Sequence, residues 1–276
     1  MSPSLRVKVF GGVLMALGAI LTIFPFYWLV VMATNTTADI YKTPPKLTFG
    51  PELVANITTM LERIDFFGAL LNTVIVAVVT TLLVLFFDSL AAFTFAKYQF
   101  PGRNVLFGIL LATFVIPMQM AAIPQFLIMA KLGWVGDLKA LIIPAAANAF
   151  GIFWMRQYLS GGALPDELLE AARMDGCGFL RTYWHVGLPA LRPALAFLGI
   201  FTFIGVWNDY VWPLIILVDP RHTTLQVALS LLKGLYSSDY AVIMAGTLVA
   251  VVPLLVIFLL GARHFIKNVA AGAVKG

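Results

Sequence analysis

Two groups of residues have the types and spacing to do chemical work. The first lies in EAARMDGCGFLRTYWHVGLP, residues 170–189, where Glu170 stands beside Ala171 and Ala172, Asp175 and Gly176 follow, and Leu188 and Pro189 close the stretch. Two small side chains side by side on a short helix suit docking, because small residues allow close approach by another protein. The second group is Trp207, Asn208, Asp209 and Tyr210, with Trp212 beyond them and Gln119 and Gln125 further upstream. Amides, an acid and aromatic faces are groups that a polyol or sugar ring could use. The same residues have a plainer alternative: amides bridge neighbouring membrane helices, and tryptophans mark the membrane interface.

Catalysis is not expected of either group. His185, His222 and His264 are scattered, and no triad or paired-carboxylate set is evident. Cys177 is the single cysteine, so there is no disulfide framework, and no Cys/His cluster has metal-ligand spacing. The chain lacks a G-x-x-x-x-G-K-[ST] loop and has no Gly-Lys dipeptide, so it offers no recognisable cradle for nucleotide phosphates. No cofactor is expected.

The elements that must position these residues follow from composition. With 61% hydrophobic and 11% charged residues in 276, and a mean hydropathy of +0.95, the chain reads as an all-α integral membrane protein. Six stretches meet the requirement of about 20 mostly apolar residues per span: 9–33, 68–95, 105–129, 140–158, 194–218 and 241–264. Arg6 and Lys8 precede the first, but it exceeds the roughly 7 to 15 apolar residues of a signal-peptide core and is expected to be retained. The net charge of +5 does not point to nucleic acid, because the basic residues sit singly between apolar runs.

Orientation follows the Lys/Arg distribution. With the N-terminus inside, the cytoplasmic segments collect 11 of the 18 basic residues: Arg6, Lys8, Lys97, Arg103, Arg156, Arg173, Arg181, Arg192, Arg263, Lys267 and Lys275. Both termini and the 160–190 loop are therefore expected in the cytoplasm. Within that loop Pro165 suits a first helical position, Asp166 and Glu167 complement the positive end of the helix dipole, and Gly176 suits the left-handed residue that ends the helix. Leu168, Ala171, Ala172 and Asp175 are expected on one face, bordered by Glu170 and Arg173, with the two alanines leaving the exposed side smooth. Phe179 with Tyr183 and Leu180 with Trp184 form apolar i, i+4 pairs in a second short helix. The result is a cytoplasmic helix-turn-helix, the alternative being an amphipathic loop lying on lipid headgroups.

Glu170-Ala171-Ala172, Asp175-Gly176 and Leu188-Pro189 resemble the EAA loop of the permease subunits of bacterial ABC importers. Trp207-Asn208-Asp209-Tyr210-Val211-Trp212-Pro213-Leu214 and the C-terminal Gly272-Ala273-Val274-Lys275-Gly276 resemble the carbohydrate-uptake branch, in particular the maltose-type, MalG-like second permease subunit. Ile123-Pro124, the 98–103 loop and Thr224-Leu225-Gln226 fit the same pattern, so the resemblance covers nearly the whole chain; Asp88 departs from it, where a small or apolar residue is expected. The resemblance implies a MetI-like fold: one transmembrane permease domain over 1–276, with six transmembrane helices and the 160–190 coupling loop within it. It implies that Glu170, Ala171, Ala172, Asp175, Gly176, Leu188 and Pro189 dock into a cleft of an ATP-binding subunit. The implied partners are a second permease subunit completing a heterodimer, two ATP-binding subunits that hold the ATP, and an extracytoplasmic solute-binding protein, all at the bacterial inner membrane. A polyamine or amino-acid permease remains open, since the EAA signature does not distinguish substrates. A secondary transporter would share the apolar spans but not the helix-turn-helix, and no repeated halves are evident.

Overall fold

The computed structural model describes residues 5–219, 222–234 and 239–273. Arg221 and the 274–276 end of the tail, with Lys275, lie outside them. The described chain is built of helices and short connections. That is what apolar surroundings dictate, because backbone N–H and C=O groups without water must be met within the segment itself.

Three helices are individually long and apolar enough to cross a membrane. They are α1, Leu5–Thr34; α3, Phe66–Lys97; and α11, Tyr240–Ala273. They coincide with the first, second and sixth expected spans. Between them lie α2, Leu53–Arg63; α4, Arg103–Val115; α5, Ala122–Lys131; α6, Ala149–Tyr158; α7, Asp166–Met174; α8, Arg192–Trp207; α9, Val211–Ile216; and α10, Leu225–Ser230.

The other three expected spans are not continuous helices, and each break has a local cause. The third turns by 91° between Arg103–Val115 and Gln119–Lys131. Pro117 removes a backbone donor and pushes Ile116 into the extended region, at φ −75° and ψ 120°. Pro124 falls in the first turn of α5, where a missing N–H costs nothing, so it does not interrupt the helix. In the fourth span a single turn, Lys139–Ile142, precedes a break. The chain then restarts at Asn148, whose extended backbone and side-chain oxygen cap α6 by accepting the Gly151 N–H at 2.8 Å. The fifth stops at Trp207 and resumes at Val211. At 13 residues α4 is about 20 Å long, well short of the ~30 Å hydrocarbon core. Three of the six expected spans are thus single long helices, and the other three are broken ones.

The helices form two compact units, one from the chain up to Phe66 with Ala228–Pro253, the other from Phe67–Val227 with the chain beyond Leu254. In the first unit the Asn56 amide donates to the Ala33 and Asn35 carbonyls at 2.9 and 3.0 Å, tying α2 to the end of α1. The Thr37 hydroxyl donates to Asp239 at 2.6 Å and accepts the Ala241 N–H, fixing the start of α11. Both candidate sites lie in the second unit. Its core gathers Phe93 of α3, Met155 and Leu159 at the end of α6, Leu169 of α7, Tyr183, Leu191, and Leu198 of α8, all with 4% or less of their surface exposed.

Asp88 is completely buried in this core. One carboxylate oxygen accepts the Asn148 N–H at 3.1 Å at the start of α6, and the other lies against Gly151, where a Cβ would collide with it. An intramembrane acid is expected to face protein or water. It faces protein, and the missing side chain at 151 makes the room.

Candidate functional site

The 160–190 loop begins where α6 gives way to a wide turn, Leu159–Ala163. Gly162 reverses the chain there at φ 93°, a conformation open to glycine without steric cost. Pro165 then sits at the N-cap of α7, one position before the expected one, and Asp166 and Glu167 occupy the first turn, where the helix dipole favours negative charge. The C-terminus is closed by a Schellman motif: the Cys177 N–H donates to the Ala172 carbonyl at 2.9 Å, the Gly176 N–H donates to the Arg173 carbonyl at 3.0 Å, and Gly176 takes φ 74°. This matches the role the spacing gives to Gly176.

The inner side of the loop is fastened to α3 in two ways. The Phe93 ring lies 5.7 Å from Tyr183, 6.0 Å from Phe179 and 5.6 Å from Tyr98, centroid to centroid. The Tyr183 hydroxyl shares a 2.7 Å hydrogen bond with Ser89, and burial raises its pKa above the usual tyrosine range. Gly187 backs onto the same ring, and a Cβ there would meet Phe93 at 2.8 Å. Second, Lys97 at the end of α3 donates to the Leu164 carbonyl and pairs with Asp166 at 2.7 Å. Beyond Leu188–Ala190 the chain bends by 78° into α8.

Against this anchored side α7 presents an exposed face of Glu167, Leu168, Glu170, Ala171, Met174 and Asp175, with Met174 88% exposed. Glu170 and Ala171 are exposed. Ala172 is not: it is buried beside Leu169, so the alanines do not form one smooth outer patch. Adjacent residues on a helix point about 100° apart, and Leu169, rather than Leu168, turns into the core. Gly176 and Pro189 are exposed and Leu188 is half-buried. Of the expected apolar pairs, Tyr183 is buried and Phe179 borders the core, whereas Leu180 and Trp184 stay 60% and 50% exposed.

The second group converges on a cavity of about 330 Å³. Gln119, Gln125, Asp209 and Trp212 line it, with Thr73 and Thr224, neither of which is marked by the sequence as a solute-pathway residue. Val76, Leu141, Pro144 and Ile215 supply apolar wall. The breaks in the third and fifth expected spans open this space. The Asp209 carboxylate lies beside the backbone of residues Tyr210, Val211 and Trp212, where the chain restarts, and Trp212 is fixed by its indole N–H donating to the Ala140 carbonyl at 3.0 Å. Trp207, Asn208 and Tyr210 are not among the lining residues. Trp207 is buried against Phe203, with ring centroids 5.6 Å apart. The Asn208 amide donates back to the Ile204 carbonyl at 2.8 Å, and Tyr210 is exposed. Among the described residues no group of three or more His, Cys, Asp or Glu could hold a metal ion.

Residues 88–265, which include the loop and most of the cavity, match the family model described as "Binding-protein-dependent transport system inner membrane component". The chain is 34% identical over 261 residues to the lactose transport system permease protein LacG of Rhizobium radiobacter, covering 95% of this chain and 94% of that protein. It is 31% identical to the arabinooligosaccharides transport system permease protein AraQ of Halalkalibacterium halodurans, covering 94% and 93%. With the sn-glycerol-3-phosphate transport system permease protein UgpE of Yersinia pestis it shares 30%, covering 94% and 95%. A crystal structure of a bacterial ABC transporter involved in the import of the acidic polysaccharide alginate contains a chain that superposes with a TM-score of 0.82 at 25% identity, covering 96% of this chain and 99% of that one.

Proposed function

This chain belongs to the family of binding-protein-dependent transport system inner membrane components, and on that premise we propose that it is the permease of a carbohydrate importer and that its 160–190 loop couples ATP hydrolysis on a partner to movement of the solute. As a member of that family it is a permease component of an ABC importer, not an enzyme, and it works with an ATPase and a binding protein. The proposed complex contains a second, similar permease making a heterodimer, and two ATP-binding subunits. A solute-binding protein faces the other side, and both termini of this chain are cytoplasmic. The whole chain acts as one permease domain. Support for a carbohydrate comes from relatives named for lactose and arabinooligosaccharides.

The observation that carries the coupling role is the two-sidedness of α7. Its inner face is locked to α3 through Leu169 and the Phe93 cluster, while Glu170 and Ala171 stand on an exposed face. Force applied to that outer face is delivered to a membrane helix. Glu170, Ala171, Asp175, Gly176 and Pro189 form or flank the docking surface in this reading, and Ala172 and Leu188 hold it from behind.

The test is Glu170→Arg in the reconstituted complex, beside Asp137→Arg as a control on the opposite side of the membrane. Losing one partner of a desolvated interfacial ion pair costs about 2 to 5 kcal/mol, and reversal adds like-charge repulsion. Glu170→Arg is expected to leave the chain inserted but to abolish stimulation of ATP hydrolysis by the loaded binding protein. If it hydrolyses ATP and imports solute at the Asp137→Arg rate, the loop is not the coupling contact and lies on lipid headgroups instead.

A further inference from the structure

We propose that the cavity at the broken spans is a solute subsite selective for an uncharged saccharide, with Asp209 excluding anions. This deepens the carbohydrate reading and rests on it, and it would bar from this cavity the kinds of anion for which two similar proteins are named, glycerol phosphate and an acidic polysaccharide.

Three observations carry the proposal. First, the volume of about 330 Å³ and the mixed wall suit a small polar ligand, at the lower end of the ~300 to 1,000 Å³ typical of such sites. Second, the cavity wall includes a residue with an unmet polar group. Thr224 is only 5% exposed, its Oγ has no hydrogen-bond partner, and it lines the space. A buried hydroxyl without a partner is costly, and a ligand hydroxyl removes that cost. Its neighbour Thr73 is already used, donating to the Ala69 carbonyl and accepting the Leu225 N–H at 2.8 Å, so Thr224 is the hydroxyl left over.

Third, the charge of the lining has one sign. Asp209 contributes a carboxylate, Gln119 and Gln125 contribute amides, and no Lys, Arg or His is among the described lining residues. A phosphate or carboxylate entering would lose its water beside an acid with no cation to compensate it. A neutral polyol suffers no such penalty: its hydroxyls donate to Asp209 and the glutamine carbonyls, accept from the glutamine amides and Thr224, and its apolar face has Trp212 to lie against.

The test uses Thr224→Cys, and separately Gln125→Cys, each in a Cys177→Ser background of the complete transporter in proteoliposomes. The thiol is reacted with cationic 2-aminoethyl methanethiosulfonate or anionic 2-sulfonatoethyl methanethiosulfonate, with lactose, arabinotriose or sn-glycerol 3-phosphate as protectant. A cleft of one sign raises the local concentration of the opposite sign by tenfold or more, so the cationic reagent is expected to react about tenfold faster, after allowance for the reagents' rates with free thiol. Asp209→Asn should bring the ratio close to one. A saccharide that the complex imports should slow labelling, and glycerol phosphate at the same concentration should not.

Equal rates with Asp209 in place, protection by glycerol phosphate, no protection by an imported saccharide, or thiols closed to both reagents at both positions would each overturn the subsite. Uptake measured on the same vesicles separates the two readings. Saccharide uptake with an unprotected cavity sinks only the subsite, whereas import of glycerol phosphate and of neither saccharide sinks both.

Discussion

The 160–190 loop and the cavity satisfy their polar groups in opposite ways. In the loop no buried side-chain polar atom lacks a partner: Tyr183 has Ser89, Thr182 donates to the Gly178 carbonyl at 3.1 Å, Lys97 reaches back from α3 to Leu164 and Asp166, and the carbonyls at the end of α7 are closed by the Schellman motif. Around the cavity, helices stop and restart, and the Thr224 hydroxyl is left unmet. A region whose inner polar groups are all paired is suited to move as a body with α3. A region of broken helices with an unmet buried hydroxyl is suited to take up a ligand. Force transmission and solute contact thus require opposite degrees of internal completion.

The strongest way to break this contrast is to empty the anchor. Tyr183→Ala removes a fully buried ring from the Phe93 cluster, and such truncations cost about 3 to 5 kcal/mol. Thermal unfolding of the complex should fall accordingly, and stimulation of ATP hydrolysis should be lost, while charge-selective labelling of Thr224→Cys persists. Tyr183→Phe keeps the ring and leaves Ser89 its bond to the Phe86 carbonyl at 3.1 Å, so it should cost only about 1 kcal/mol. Loss of selective labelling in Tyr183→Ala would mean that the two regions are one cooperative unit and that the contrast is false.

The loop was legible because its signals are local. Pro165, the acidic first turn and Gly176 lie within a dozen residues, and dipole, cap and left-handed turn act at that range. The face of α7 was not, because Leu168 and Leu169 are both apolar neighbours, and only the Phe93 cluster, contributed from some 75 positions upstream, decides which of them is buried. The cavity was half legible. Gln119, Gln125 and Asp209 stood out as polar groups in apolar runs, but Thr73 and Thr224 come from segments 150 positions apart with no shared period. Trp207 and Asn208 attracted attention by type alone, and helix geometry turns one into the core and spends the other's amide on its own helix. Composition gave the membrane class and the long helices. Pro117 breaks the third span through its own ring, whereas the fourth restarts at the Asn148 cap, which a hydropathy pattern does not detect.

On the cavity side, Trp212→Phe removes the hydrogen bond to the Ala140 carbonyl while keeping an aromatic face. One neutral hydrogen bond is worth about 0.5 to 1.5 kcal/mol. The expected outcome is a small loss of thermal stability, weaker protection of Gln125→Cys by an imported saccharide, and unchanged coupling of ATP hydrolysis. Coupling lost in proportion to protection would place Trp212 in the lever rather than in the subsite.

The smallest effect belongs to the second tie of the loop. Asp166 sits 2.7 Å from Lys97, but its own side chain is 78% exposed while that of Lys97 is 10% exposed. Water screens an ion pair of this kind, and exposed pairs are worth no more than about 1 kcal/mol. Asp166→Asn also keeps a side-chain oxygen that can accept from Lys97, and Lys97 retains the Leu164 carbonyl. The variant should therefore unfold within about 1 kcal/mol of the parent, and whatever difference exists at low ionic strength should shrink by 1 M salt, where the screening length falls to about 3 Å. A large, salt-insensitive loss would mean that charge, and not the aromatic cluster, holds the loop to α3. The loop would then be a hinge that ionic conditions loosen, and Tyr183→Ala should in that case leave coupling intact.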